Sequence, residues 1–153
     1  MATLYIMVGI PASGKSTYAN KLATELGCNI HSSDAIRREL CGTQQDLSRD
    51  KEMWKILKER MCKDLSSGKD CIVDATNGQS TKRINYINRV ISEGIDCKKV
   101  AIVANPPFEV CLERNKSRNR EQRIPYKSML NLKRVFEEPT LSEGFDEIIK
   151  IEN

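Results

Sequence analysis

Aromatic residues make up only 5% of this 153-residue chain, which carries one tryptophan and one histidine. A lone histidine offers no imidazole cluster for zinc. The six cysteines (Cys28, Cys41, Cys62, Cys71, Cys97, Cys111) include no C-x-x-C pair, so their spacing supports neither a zinc site nor a dithiol redox centre. Several lie inside apolar runs, as expected of reduced thiols packed as small hydrophobes. No apolar run approaches the roughly 20 residues that span a bilayer. The first residues lack a basic stretch followed by a long apolar one, the pattern of an export signal. These absences predict a cytoplasmic protein with no membrane contact. No repeat, low-complexity tract or long linker divides the sequence, so residues 1–153 read as one domain.

What is present is more specific. Residues 9–17 spell Gly9-Ile10-Pro11-Ala12-Ser13-Gly14-Lys15-Ser16-Thr17, a complete G-x-x-x-x-G-K-[ST]. The apolar run Leu4–Val8 precedes it and a helical pattern (Ala19, Leu22, Ala23, Leu26) follows, the strand–loop–helix setting of a phosphate loop. Successive N–H groups in such a loop form a nest for phosphate oxygens, and the helix adds its positive dipole end. Gly9, Pro11, Ala12, Ser13, Gly14, Lys15, Ser16 and Thr17 are therefore the predicted ATP-binding residues. Lys15 reaches the outer phosphates in this reading, and the Ser16 hydroxyl ligates Mg²⁺.

Apolar segments alternate with helical patterns along the whole chain. Strands are predicted at residues 3–9, 28–32, 70–75, 98–104 and 146–151. Helices are predicted at 15–26, 34–41, 49–66, 80–93, 107–117 and 126–137. The alternation implies a parallel sheet of about five strands covered on both faces, with ligands at the strands' carboxyl ends. The predicted class is α/β, a single-domain P-loop NTPase built as an adenylate-kinase-like three-layer sandwich.

Polar residues gather just after the predicted strands. Ser32-Ser33-Asp34-Ala35-Ile36-Arg37 follows the second. Ser33 is the expected helix cap. Asp34 and Arg37 have two open readings: a cap with a surface arginine, or a general base with an anion-binding arginine one turn later. Cys71-Ile72-Val73-Asp74-Ala75-Thr76-Asn77 ends the third strand on an acid, as in a Walker B strand whose Asp orients Mg²⁺ or its waters.

Charge is unevenly spread. Residues 114–134 hold eight basic residues against one acid, Glu121, a net +7 in a chain whose total is +4. Arg114, Arg118, Arg120 and Arg123 are read as phosphate-facing, with 118–124 as a lid between two helices. Lys127, Lys133 and Arg134 are read as a solvated helix face. A guanine-selective N-K-x-D is missing, because Asn115-Lys116-Ser117 is followed by Arg118; a kinase fits better than a switch. Trp54 and Tyr86 could stack a base, although Trp54 shares a helical pattern with Ile56, Leu57 and Met61 that favours a core role.

With these residues in hand, nearly the whole chain resembles the polynucleotide 5′-hydroxyl kinases of phage and of nucleic-acid repair enzymes. Its phosphate loop resembles the family form G-x-P-G-S-G-K-S-T, with Ala12 in place of a glycine. Asp34 with Arg37, the strand end Asp74-Ala75-Thr76-Asn77, and the R-N-x-x-R of Arg114–Arg118 followed by Ile124-Pro125 match family motifs. The resemblance implies a catalytic set of Lys15, Asp34 and Arg118. Asp34 would be general base on the 5′-hydroxyl, and Arg37 would grip the phosphate 3′ to the terminal nucleoside. Asp74 would support the acceptor side and the metal's waters, and Arg118 would bridge the donor phosphates from a lid spanning about residues 114–125. It further implies ATP as donor, Mg²⁺ as cofactor and 5′-hydroxyl ends of DNA or RNA as partners; no protein partner is evident. A small-molecule kinase acting on a sugar, nucleoside or nucleotide sugar is the alternative.

Overall fold

Period-two patterning in the first strand decides the layering. In β1 (Ala2–Val8), Leu4, Ile6 and Val8 join one apolar cluster, whereas Tyr5 and Met7 join another. A strand apolar on both faces must be covered on both. In the computed structural model, which describes residues 1–151, β1 lies at the centre of a sheet ordered β2-β3-β1-β4-β5. The other strands are β2 (Asn29–Ser32), β3 (Cys71–Asp74), β4 (Cys97–Ala104) and β5 (Glu147–Ile151), and every pairing is parallel. One face packs beneath α1 (Lys15–Leu26) through Met7, Ala19, Ile72 and Ile102. The other packs against α2 (Ser33–Cys41), α3 (Asp50–Ser66) and α4 (Ser80–Ser92), with Met53, Leu57, Met61 and Tyr86 at its centre. A smaller cluster joins Ile10 to α5 (Phe108–Lys116) and α6 (Tyr126–Arg134) through Cys111 and Met129.

This strand order matters for function. The chain leaves β1 for the edge strand β2, returns inward to β3 beside β1, then crosses to β4 and β5 on the other side. The reversal opens a crevice at the carboxyl end of β1, where an open α/β sheet binds its ligands. The β1–α1 loop lies in that crevice, with Asp74 ending β3 beside it.

Most element boundaries fall within a residue of expectation, and two departures have a visible cause. Ser32, not Ser33, caps α2: its extended backbone lets the hydroxyl accept the Ala35 N–H at 3.2 Å, whereas Ser33 is already helical and buried. The apolar pattern carries to residue 137, but α6 ends at Arg134. There the Glu137 N–H donates to the Gly78 carbonyl at 2.7 Å, drawing the chain across the end of β3 while Phe136 still packs inward.

All six cysteines are free thiols, four of them buried. The fold gathers His31, Asp64 and Cys71 so that their ligand-type atoms lie within 4.8 Å of one another, a grouping their sequence spacing hides. Asp64 is engaged there by His31 Nε2 at 2.7 Å and by Asn29 Nδ2, a polar pin between β2 and α3. Cys71 opens β3 whereas Asp74 ends it, so this cluster marks the opposite end of the strand from the crevice.

A fully buried arginine ties the C-terminal segments to the sheet. Arg83 of α4 donates from Nε and Nη2 to Glu143 at 2.7 and 2.9 Å, and from Nη1 to the carbonyls of Asn77 and Glu137, each at 3.0 Å. Burial pushes the Glu143 carboxyl up, but hydrogen bonds and charge from Arg83, with the Thr140 N–H, hold it below its ordinary value. A carboxyl depressed in the folded state contributes stability above its unfolded pKa and loses it as pH falls through the folded one. Arg83→Ala strands that carboxylate and the buried Asn77 carbonyl. The expected cost is about 3 kcal/mol, the low end for a broken buried pair because Glu143 keeps Thr140. Urea denaturation of wild type and variant checks it, and the difference should shrink in acid.

Candidate active site

The loop between β1 and α1 has the curvature of an anion nest. Ala12 and Gly14 both adopt left-handed backbone, at φ 65° and 94°, the conformation that lets successive N–H groups form a concave nest. For alanine that conformation costs about 1–2 kcal/mol, so position 12 carries strain where the resembling family has glycine. Gly9 is required sterically: a Cβ there would lie 2.5 Å from Ser13 Oγ and 2.6 Å from the Ala104 carbonyl. Lys15 opens α1 and is buried, yet it forms no ion pair among the described residues. A buried ammonium without a counter-charge is costly, and a bound polyphosphate would supply one.

Next in the helix, Ser16 Oγ donates to Asp74 Oδ2 at 2.8 Å, joining the loop to the end of β3. The second oxygen of Asp74, Oδ1, is buried and has no hydrogen-bond partner among the described residues. An orphaned carboxylate oxygen beside a hydroxyl suits a hydrated divalent cation, so these residues fit Mg²⁺. Asn77 has a structural task. At φ 48°, its Nδ2 donates to the Met7 carbonyl at 2.8 Å and its Oδ1 accepts the Tyr86 hydroxyl at 2.8 Å. Burial raises the pKa of the Tyr86 hydroxyl, and the ring is enclosed, so Tyr86 is no platform for a base.

Across the crevice, both oxygens of Asp34 are held. Arg37 Nη1 donates to Oδ1 at 2.9 Å, and Gln44 Nε2 approaches Oδ2 at 3.4 Å. Arg37 is itself gripped from the other side, with Nε and Nη2 on the two oxygens of Asp50 at 2.8 and 2.9 Å. Burial disfavours the Arg37 charge, but Asp50 and then Asp34 outweigh it and raise the guanidinium pKa. The arginine expected to await an acceptor phosphate thus already has two carboxylate partners. Neither Asp50 nor Gln44 carried a sequence signal; the turn between α2 and α3 brings them in.

Of the clustered arginines, Arg118 and Arg123 line the crevice, and Arg114 Nη1 lies 3.5 Å from the Ala12 carbonyl. Arg120 does not line it; instead it borders a shallow groove between α5 and α6. Its carbonyl and that of Arg123 accept Gln45 Nε2 at 3.0 and 3.1 Å, linking this segment to the α2–α3 loop. Lys127 is exposed on α6, as expected of a solvated helix face, but unlike Lys133 and Arg134 it also borders the crevice. Asn115 closes the segment's base, exchanging hydrogen bonds with both backbone groups of Ile124 at 2.7 and 3.0 Å.

Together these groups enclose a cavity of about 840 Å³, at the upper end for one small ligand. Six cationic side chains line it against two acids, Asp34 and Asp74, so its potential favours anionic ligands.

A phosphate loop with this companion carboxylate, on a five-stranded parallel sheet, makes the architecture that of a P-loop kinase. Solved structures share it. Kti12 of Chaetomium thermophilum, in complex with ADP-AlF3, superposes with a TM-score of 0.77 at 17% identity, over 97% of this chain and 88% of that one. A gluconokinase from Sinorhizobium meliloti 1021 gives 0.64 at 18%, over 98% and 81%. A fungal RNA kinase gives 0.73 at 14%, over 99% of this chain but only 38% of its own length. Residues 4–139 match the family model AAA_33, described as an AAA domain, and the chain belongs to that family. Among the described residues, no helix is long and apolar enough to cross a membrane.

Proposed function

We propose that the protein is an ATP-dependent kinase that transfers the γ-phosphate to the 5′-hydroxyl end of DNA or RNA. One observation carries the reading: Asp34, with both oxygens oriented by Arg37 and Gln44, lines the same cavity as Lys15, Ser16, Asp74 and Arg118. The loop N–H groups and Lys15 hold the β- and γ-phosphates of ATP. Mg²⁺, held by Ser16 with Asp74 behind it, supplies charge neutralisation on those phosphates when bound. Asp34 takes the proton of the acceptor hydroxyl as its oxygen bonds to the γ-phosphorus, and the bond to the β–γ bridging oxygen breaks, leaving ADP. Arg118, on a lid of about residues 114–125, stabilises charge on the transferring group, and closure excludes water. The cationic lining of the cavity supports a polyanionic acceptor over a neutral sugar.

An acceptor panel tests this. With γ-labelled ATP, label should appear on 5′-hydroxyl oligonucleotides of DNA or RNA and not on the same oligomers already 5′-phosphorylated. Transfer should weaken as salt rises, because acceptor phosphates release counterions on binding. Label appearing only on sugars or nucleosides replaces the proposal with a small-molecule kinase. Nucleotide binding with no transfer to any acceptor leaves a binding module.

A further inference from the structure

Resting on the reading above, we infer that Trp54 and Lys82 form the acceptor subsite, with the Trp54 indole stacking the terminal base and Lys82 holding the adjacent backbone phosphate. The argument starts from what Arg37 is doing. Its guanidinium is shared between Asp34 and Asp50, one positive charge between two negative ones. That cluster repels an incoming phosphodiester, so the attracting charge must come from elsewhere on the acceptor wall.

Lys82 of α4 is placed for it. It lines the same cavity, it is exposed, and no carboxylate among the described residues pairs with it. Its ammonium lies 5.2 Å from the centre of the Trp54 ring. A solvent-exposed cation–π contact is weak and easily exchanged for an aromatic base and a phosphate.

Trp54 has the complementary placement. It packs against the larger core cluster along one edge, yet it is only half-buried and lines the cavity. It follows Asp50 by four residues on α3, so the indole shares a helix face with the carboxylate that holds Arg37 beside Asp34. The base platform and the hydroxyl-activating carboxylate therefore belong to one wall. Leu47, a large apolar side chain that is 61% exposed, lines the cavity as well, extending the apolar surface a base would cover.

As the chain's only tryptophan, Trp54 reports its own occupancy. The wild-type protein, with a non-hydrolysable ATP analogue, is titrated with a 5′-hydroxyl tetrathymidylate while tryptophan emission is read. Saturable quenching is expected, absent when the analogue is added alone. In the kinase assay, Trp54→Leu should raise the oligonucleotide KM by about 10- to 100-fold, with a smaller change in kcat and in the KM for ATP. Lys82→Gln, at an exposed position that should fold normally, should lower the salt dependence of acceptor binding by about one ion. Trp54→Phe should recover part of the loss.

The outcomes separate the two claims. Wild-type transfer to 5′-hydroxyl ends, with wild-type oligonucleotide KM in both Trp54→Leu and Lys82→Gln, overturns the subsite and leaves the kinase reading intact. If the wild type transfers to no 5′-hydroxyl end, the kinase reading fails. Quenching by the oligonucleotide would then still support a base-binding site at Trp54, and its absence would remove that too.

Discussion

Asp34→Ala should lower phosphoryl transfer by about 10²–10⁴-fold, the range for removing a general base, while ATP binding persists. The separation follows from where Asp34 is anchored. It belongs to α2, on the far side of the cavity from Lys15 and the nest, and its hydrogen bonds go to Arg37 and Gln44 rather than to the loop. Removing it leaves Arg37 gripped at two points by Asp50, so no buried cation is abandoned. The Asp34 side chain is also 46% exposed, and its pair with Arg37 contributes little to stability. Calorimetric titration with ATP and a thermal melt should match wild type while label transfer collapses. A variant that transfers at the wild-type rate would remove Asp34 from the chemistry, and the proposed mechanism with it.

Arg118→Ala should reduce kcat by about 10³-fold, as for the loss of an arginine finger. Among the described residues its side chain makes one hydrogen bond, to the Gln122 carbonyl at 3.3 Å, in an exposed segment. A guanidinium so lightly held contributes within about 0.5 kcal/mol to stability, like other surface side chains. Its energetic weight must therefore appear in the transition state if it appears at all. Single-turnover kinetics with saturating ATP would isolate the chemical step. A change in melting temperature with unaltered turnover would make Arg118 a local staple rather than the lid arginine.

Much of the scaffold was legible because its signals are local. The phosphate loop needs particular residues at fixed offsets, and its flanking strand and helix follow from apolar periodicity in the same window. Asp34 and Asp74 were visible as acids at strand ends, where a parallel sheet opens its crevice. The end of α6 was hidden, because the bond from Glu137 to Gly78 that terminates it joins residues far apart in sequence. Arg83 was also hidden: an arginine in a helical pattern reads as solvated until the fold surrounds it with Glu143 and two carbonyls. Among the arginines, composition predicted an anion-facing cluster but could not sort Arg118 and Arg123 from Arg120. That choice depends on how Gln45 and Asn115 shape the segment between α5 and α6.

From its order of residues alone, this chain determined a nest for phosphates, the alternation that forces a parallel sheet between helices, and the acids at its strand ends. Those are properties of short windows, set by backbone geometry and side-chain period. The strand order β2-β3-β1-β4-β5, the commitment of Arg37 to Asp50, and the meeting of Trp54 with Lys82 were decided only in three dimensions. Each joins segments whose proximity depends on the packing of all the elements between them, and no local pattern records that energy.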